Sequence, residues 1–263
     1  MDSLTGESQI VYDARGLVEP NADVPKISSI DGTKAVFDAH NLTTRQINLE
    51  LRWLINEQGI EEVTVQNPGA KHSLGVGILT RCKINFEGSL GYFACGIIDG
   101  PEVHIKGRVG WSACENMMSG TVVVEGNAGS LTGAAMRGGD LIVKGRLGAR
   151  TGIDQKGVTI LTMGSVGANT GFMMQRGRQV ICGDAGHGLG DSMYDGIIYV
   201  AGKVRSLGID CVPGEWTDSD TEFIDRKFRI YGLGTPPEFQ KFVCGKKLYN
   251  YDNLEASERK LVL

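Results

Sequence analysis

The fold is decided by the segment VVVEGNAGSLTGAAMRGGDLIVKGRLG, residues 122–148, which holds one glycine-anchored unit and the start of the next. Gly126 and Gly129 are followed nineteen residues later by Gly145 and Gly148. The first glycine of this pair recurs at the same spacing along most of the chain, at Gly88, Gly107, Gly126, Gly145, Gly164, Gly183 and Gly202. A repeat this regular predicts an architecture of stacked units.

The length of the unit selects the kind of repeat. Helical solenoids need about 33 residues or more per unit, and leucine-rich repeats need a Leu-x-x-Leu-x-Leu pattern that is absent here. The positions four and two residues before each ladder glycine are apolar except at Thr162 and Gln179, and they share one strand face. The sequence therefore predicts an all-β protein, a right-handed parallel β-helix of about seven coils of nineteen residues.

The ladder glycines are interpreted as the corners of these coils. Glycine adopts positive φ without a steric clash, and equivalent corners stack about 4.8 Å apart. A bulky corner residue would therefore crowd the coils next to it. Both arguments predict that these positions are structural.

The repeat divides the chain into three parts. Residues 1–62 are a lead-in, residues 63–208 form the β-helix, and residues 209–263 are an irregular extension. In the lead-in, Thr43 to Gln46 is a capping box, and Gly59 is a plausible stop signal. Between them, the helical stripe Ile47, Leu51, Leu54 and Ile55 predicts an amphipathic helix that covers the open end of the β-helix.

The extension contains about half of the aromatic residues of the chain: Trp216, Phe223, Phe228, Tyr231, Phe239, Phe242, Tyr249 and Tyr251. Aromatic side chains are enriched in protein interfaces, so one interpretation is a surface for partner subunits. The other is that they cap the last coil. Removing residues after about 235 distinguishes the two, because only a cap is needed for the fold.

The overall charge and composition limit the possible partners. The net charge is −4 with both signs mixed, which does not favour binding to nucleic acid or to an anionic membrane. The amino terminus is polar, and no apolar run is long enough to cross a bilayer. We expect a cytoplasmic protein.

The six cysteines show no spacing typical of a zinc or iron–sulfur site. Cys95 and Cys114 lie nineteen residues apart and take the place of a third glycine column, seen later at Gly133, Gly152, Gly171 and Gly190. They are either a disulfide or redox pair, or two small buried residues, and a reducing compartment favours the second interpretation.

Residues 183–191 are the part of the chain that most resembles an active-site loop. Asp184, His187 and Asp191 could form an acid–base or metal cluster there. Its glycines, however, belong to the ordinary corner columns, so the alternative is a polar corner with solvated side chains. The sequence predicts no catalytic, cofactor-binding or metal-binding residue in this chain.

The tandem Gly-x-x-Gly coils resemble the Gly-x-Gly-x-Gly domain at the carboxyl end of the glutamate synthase large subunit. The resemblance covers roughly residues 35–212. The segments Gly110–Gly120 and Gly183–Val204 look most like the stand-alone version in three-subunit relatives, including N-methylglutamate synthase.

The resemblance implies a structural, non-catalytic subunit of a hetero-oligomer. It implies that one partner is a class II glutamine amidotransferase-like subunit, and that another is a glutamate synthase-like subunit with FMN and an iron–sulfur cluster. The amidotransferase and flavin domains of ordinary glutamate synthase are absent from this chain. Neither the amino acid handled by the complex nor its stoichiometry follows from the sequence.

Two alternatives stay open. The same domain occurs as a subunit of formylmethanofuran dehydrogenase, which makes a complex of that type the second candidate. A free-standing β-helix enzyme is the third, for example an acyltransferase or a carbohydrate-acting protein. The usual acyltransferase helix repeats every six residues, and a glycan enzyme needs paired carboxylates on one exposed face. The sequence shows neither pattern.

Overall fold

One twelve-stranded sheet runs along the protein in the computed structural model, which describes residues 24–245. The strands are β1 Ser29–Asp31, β2 Lys34–Asp38, β3 Glu62–Gln66, β4 Lys83–Glu87, β5 Asp99–Ile105, β6 Ser119–Val124, β7 Asp140–Val143, β8 Lys156–Thr162, β9 Arg176–Ile181, β10 Ile197–Val200, β11 Cys211–Pro213 and β12 Gln240–Cys244. Helix α1, Thr44–Arg52, continues into a π-helical turn, Trp53–Glu57, and helix α2 is Asp218–Tyr231.

Strands β2 to β10 pair in chain order, and every pair is parallel. In the central coils the register equals the repeat, since Val122 lies opposite Leu141 and Leu141 lies opposite Ile160. Each coil thus contributes one strand to the sheet. The prediction of a parallel β-helix of about seven coils is confirmed.

The sheet extends beyond the predicted boundaries at both ends. Strand β2 pairs in parallel with β3, so the stacking of strands begins well before residue 63. At the other end β12 pairs antiparallel with both β10 and β11. The prediction of an irregular extension after residue 209 is wrong, because this part holds a fourteen-residue helix and two strands.

Helix α1 covers the first coil, as its sequence predicts. The capping box of Thr43 and Gln46 is present, and the stripe of Ile47, Leu51, Leu54 and Ile55 is buried in the main core. Asn48 also completes the backbone hydrogen bonds of that coil. Its Oδ1 accepts from the Gly75 amide at 2.9 Å, and its Nδ2 donates to the Ser73 carbonyl at 2.8 Å. In later coils the equivalent amide donates to the coil before it.

The ladder glycines are required by close stacking and not by backbone angle. None of the six from Gly107 to Gly202 has a positive φ, so the prediction that they need one is wrong. A Cβ built on Gly145 would lie 2.7 Å from the Gly126 carbonyl carbon, and one on Gly164 would lie 2.6 Å from the Gly145 oxygen. The backbone of the preceding coil therefore leaves no room for a side chain.

Positive φ is concentrated in the turn segment that follows each corner. Ser112, Cys114 and Asn116 alternate in the left-handed region, with φ of 55°, 59° and 55°. Their amides donate to the carbonyls of neighbouring coils at 2.8–2.9 Å, two to the following coil and the middle one to the preceding coil. These bonds offset the cost of left-handed residues other than glycine, about 1 kcal/mol or more each.

Cys95 and Cys114 occupy the middle position of this pattern, where later coils use glycine. Their side chains are buried, and neither forms a disulfide in this structure. Burial raises the pKa of the Cys95 thiol to about 12 and raises that of Cys114 as well. Thiols in this state are poor nucleophiles, which supports the interpretation as small buried residues.

The polar exceptions in the inward columns have partners inside the solenoid. Thr162 Oγ1 donates to the Gly145 carbonyl at 2.7 Å. Gln179 Nε2 donates to Gln155 Oε1 at 3.0 Å, and Gln155 in turn donates to the Val158 carbonyl at 2.9 Å. Gln155 lies in a column of buried methionines, Met117, Met136, Met174 and Met193. The two glutamines thus satisfy each other in part within an apolar core.

Candidate functional site

The polar corner at residues 183–191 does not form a convergent cluster. Asp184 Oδ1 accepts a hydrogen bond from the Lys203 amide of the next coil at 2.8 Å. Its own amide donates to Ser165 Oγ of the preceding coil at 3.0 Å. Asn127 does the same in an earlier coil, where its Oδ1 accepts from the Arg146 amide at 2.8 Å. Asp184 therefore joins coils, as Asn127 and Ser165 of the same column do.

The other two members of the predicted corner also have local partners. His187 Nδ1 lies 3.3 Å from Ser206 Oγ, one coil further on, and Asp191 Oδ1 accepts from Ser192 Oγ at 2.7 Å. Within residues 24–245, no group of three His, Cys, Asp or Glu side chains could hold a metal ion. The structure supports the interpretation of this loop as a polar corner.

The outward face of the sheet changes character along the solenoid. In the first coils it presents Thr64, Asn85 and His104. From the fifth strand of the parallel series onward it presents an apolar column: Val123, Ile142, Leu161, Val180 and Tyr199. Helix α2 covers this column with Phe223, Ile224 and Phe228, which form a second core separate from the interior.

Several aromatic residues of the extension pack against other parts of the same chain. Phe223 and Phe228 are buried under helix α2, and Phe242 on β12 is buried in the main core. Phe239 is partly buried against the second core. Trp216 is partly exposed, while Tyr249 and Tyr251 lie outside the described residues. These contacts favour packing within the chain: Phe242 caps the last coil, and Phe223 and Phe228 cover the outward face of the sheet from Ile142 to Tyr199.

Two ionic contacts hold helix α2 on the sheet, one at the buried Asp220 and one at the half-buried Asp140. Asp220 accepts from Tyr199 Oη at 2.6 Å and from Lys241 Nζ of β12 at 2.8 Å. Asp140 on β7 accepts from Lys227 Nζ at 2.6 Å and from the hydroxyl of Tyr231. Burial, together with the hydrogen bond to Asp140, raises the pKa of Tyr231. These contacts join the helix to strands that are far away in sequence.

The carboxyl group of Asp220 has a strongly lowered pKa. Burial raises that pKa, but hydrogen bonds from Lys241, Tyr199 and Thr217 outweigh burial and lower it to about 2, from an ordinary value of 3.8. A carboxyl whose pKa is lower in the folded state stabilises that state above the unfolded pKa. The stabilisation is therefore complete above about pH 4 and is lost as the pH falls towards 2.

Replacing Asp220 by asparagine is expected to lower the free energy of unfolding by about 2 kcal/mol at pH 7. The difference from the native chain should shrink between pH 4 and pH 2, because the native carboxyl becomes neutral as well. Urea unfolding at several pH values measures it. Asp225→Asn, an exposed position on the same helix, is the matched control. A difference that does not change with pH would contradict the role of the carboxylate.

A shallow groove of about 500 Å³ runs beside helix α2. Its lining carries three arginines, Arg178, Arg226 and Arg229, together with Glu222 and Asp225. The Arg178 guanidinium lies 4.2 Å from the centre of the Phe223 ring, so part of this charge is already in a cation–π contact. With both charge signs on its walls, the groove does not select for an anion.

Within residues 24–245, an exposed stack of rings lies on one edge of the solenoid, formed by His72, Tyr92 and Trp111. The ring centroids are 4.6 Å and 5.6 Å apart, with interplanar angles of 23° and 20°. Tyr92 is 45% and Trp111 55% exposed. Phe93, beside Tyr92, is 49% exposed, and its amide donates to the Trp111 carbonyl at 2.9 Å. We call these four residues the aromatic edge.

The aromatic edge was not predicted from the sequence, although a signal for it exists. Tyr92 and Trp111 are separated by one repeat and therefore stack on adjacent coils. His72 precedes Tyr92 by twenty residues, one more than the repeat. A search for residues spaced by nineteen therefore does not find His72. In the following coils the same column holds the small residues Ser130, Ala149 and Ala168, so the aromatic stack ends at Trp111.

Comparison with known proteins gives a partial match. No family model matches the chain. Over 72 residues, 26% of the chain, it is 37% identical to Protein GlxC of Rhizobium meliloti (strain 1021). The match spans about a third of the length of that protein, 32%.

In the described residues, neither helix is long and apolar enough to cross a membrane. The described residues form a parallel β-solenoid with an exposed aromatic edge.

Proposed function

We propose that this chain is a structural, non-catalytic subunit of a glutamate synthase-related complex. It would hold together a flavin and iron–sulfur subunit and an amidotransferase-like subunit, such as those of N-methylglutamate synthase. The observation that carries the proposal is the aromatic edge of the solenoid, where exposed rings stack on adjacent coils. Large exposed aromatic side chains that lie side by side are typical of protein interfaces.

The hydrogen bonds of the polar side chains in residues 183–191 support this proposal. The side chains of the loop that most resembles an active site bond to neighbouring coils or residues, as described for Asp184, His187 and Asp191. A side chain that joins two coils is held by the fold and is poorly placed to change partners during a reaction. The resemblance of the glycine ladder to the Gly-x-Gly-x-Gly domain points in the same direction, and the partial match to Protein GlxC supports it loosely.

The solenoid also has the rigidity that a scaffold requires. Its coils are joined by parallel strands and by hydrogen bonds in the corners and turn segments. Each of the six ladder glycines from Gly107 to Gly202 brings adjacent backbones closer than any side chain would allow. Surface residues on different coils are therefore held at fixed separations, which lets one edge present a preorganised binding surface.

The proposal predicts that the aromatic edge carries binding energy for a partner. The double variant Trp111→Ser with Phe93→Asn should weaken assembly with the flavin and amidotransferase-like subunits about tenfold or more. Asparagine suits position 93 because it tolerates the left-handed φ of 57° found there. Binding is measured by titration of the purified subunits, and thermal melting of the variant alone checks that it is folded.

The matched control is Ile230→Ser, since Ile230 is 61% exposed on helix α2, away from the aromatic edge. This variant should leave assembly with the partner subunits unchanged.

Mass spectrometry of the proteins that co-purify with the native chain identifies the complex. Recovery of a formylmethanofuran dehydrogenase-type complex would favour the second candidate. A chain that binds no partner and turns over a substrate by itself would overturn the proposal.

A further inference from the structure

Two cysteines face each other where the extension closes the solenoid. Strands β11 and β12 are antiparallel, and Cys211 lies directly opposite Cys244 in their register. The Gly245 amide donates to the Asp210 carbonyl at 2.7 Å, and the Gly214 amide donates to the Lys241 carbonyl at 2.9 Å. Those bonds mark Asp210 with Gly245, and Gly214 with Lys241, as hydrogen-bonded pairs of the ladder. Hydrogen-bonded and non-hydrogen-bonded pairs alternate along an antiparallel ladder, so Cys211 with Cys244 is a non-hydrogen-bonded pair.

This kind of pair suits a disulfide. In a non-hydrogen-bonded antiparallel pair the Cα atoms are about 4.5 Å apart and both side chains point to the same face. A disulfide needs Cα atoms about 4.4–6.8 Å apart.

Both sulfur atoms lie close to the turn of residues 190–193 in the last coil. Cys244 Sγ lies 3.1 Å from the Met193 carbonyl oxygen, to which it donates a hydrogen bond. A Cβ built on Gly190 would lie 2.8 Å from Cys211 Sγ, so that sulfur is also close to the turn of residues 190–193. Cys211 is buried, whereas Cys244 is partly exposed and is the more accessible thiol.

We propose that Cys211 and Cys244 form a reversible cross-strand disulfide, a modification site that fastens β12 to β11. The oxidant is a small-molecule disulfide. The Cys244 thiolate attacks one of its sulfurs, giving a mixed disulfide and releasing one small thiolate. Burial raises the pKa of the Cys211 thiol to about 11, so this thiol loses its proton only as it attacks Cys244 Sγ and releases the second small thiolate. Two protein thiols are oxidised, one small disulfide is reduced to two thiols, and two protons pass to the released thiolates or to solvent.

The bridge would act on the part of the chain that covers the outward face. It closes the loop of residues 211–244, which contains helix α2. Closing a loop limits the unfolded chain more than the folded one, so oxidation should stabilise the capped state. Strand β12 pairs with β10 at the end of the sheet. Oxidation of the two cysteines would therefore make the stability of that end of the solenoid depend on redox state. It does not depend on the function proposed above.

The test uses the full chain in mixtures of reduced and oxidised glutathione. After alkylation of the remaining thiols, digestion without reductant and mass spectrometry should show a peptide that joins Cys211 to Cys244. The melting temperature should rise by about 5 °C on oxidation and return after treatment with dithiothreitol. Cys211→Ser and Cys244→Ser should abolish both effects, whereas Cys182→Ser should leave them intact.

The peptide map of the native chain does not depend on whether the variants fold. The proposal is overturned if fully oxidised glutathione leaves Cys211 and Cys244 reduced. It is equally overturned if each carries a separate glutathione, or if the bridges found join other cysteines while these two remain unlinked.

Discussion

Gly145→Ala is expected to destabilise the protein by about 3 kcal/mol or more, although it adds a single methyl group. The new Cβ would lie 2.3 Å from Asn127 Oδ1 and 2.7 Å from the Gly126 carbonyl carbon and oxygen. Asn127 could rotate away, but the backbone of Gly126 cannot move without separating two coils. Urea unfolding, followed by far-ultraviolet circular dichroism, measures the loss.

The chain offers a matched control in Gly96. This glycine also lies within the solenoid and lacks a positive φ, but a Cβ there would meet its nearest atoms at 3.6 Å. Gly96→Ala should therefore change the free energy of unfolding by less than about 1 kcal/mol. Gly126→Ala should fall between the two, since its nearest contact would be the Gly107 carbonyl oxygen at 2.9 Å. Equal effects at Gly145 and Gly96 would refute the stacking argument.

The solenoid was predictable because its signal is periodic. One residue type repeated at one spacing determines which strand follows which, and the register of Val122 with Leu141 equals that spacing. Helix α1 was predictable for a local reason, since its capping box and apolar stripe lie close together in the sequence. For the ladder glycines the prediction that a bulky residue would crowd the adjacent coils is correct, and the prediction of positive φ is wrong; both conditions call for glycine, so the sequence does not distinguish them.

Helix α2 was missed because its buried stripe is not wholly apolar. Asp220 and Lys227 occupy the same helical face as Phe223, Ile224 and Phe228, and two charges interrupt the pattern that marks an amphipathic helix. Their partners lie on strands far away in sequence, so nothing local shows that these charges are satisfied. A second signal was available in the runs Leu141–Val143 and Ile197–Val200, where polar residues no longer alternate with apolar ones.

The candidate sites show the same limit. Sequence reasoning selected residues 183–191 for their residue types, but whether Asp184 faces a substrate or the next coil depends on a contact nineteen residues away. The aromatic edge and the Cys211 pair are also contacts between distant residues, and in both the partners become neighbours only through the fold. A repeat therefore predicts the scaffold better than it predicts the surface.

Ending the chain at Thr235 is expected to destabilise it by about 5 kcal/mol, because this removes β12. Strand β12 supplies the hydrogen-bonding partner of β10 at the end of the sheet, with Phe242 opposite Ile198. The cut also removes Phe239 from the second core, and it removes Lys241, which leaves Asp220 buried under the helix without its cation. An unpaired strand edge and an unpaired buried charge should act together.

The matched control ends at Gly245, which keeps β12 and removes only residues 246–263. Urea unfolding of the two shortened chains beside the full chain separates the loss of the strand from the loss of the terminal residues. Hydrogen exchange adds a local measurement, since amides of β10 should lose protection in the shorter chain while those of β6 keep it. If the chain ending at Thr235 is as stable as the one ending at Gly245, β12 does not cap the solenoid. The aromatic residues of the extension would then be available to a partner, as the other interpretation of the sequence requires.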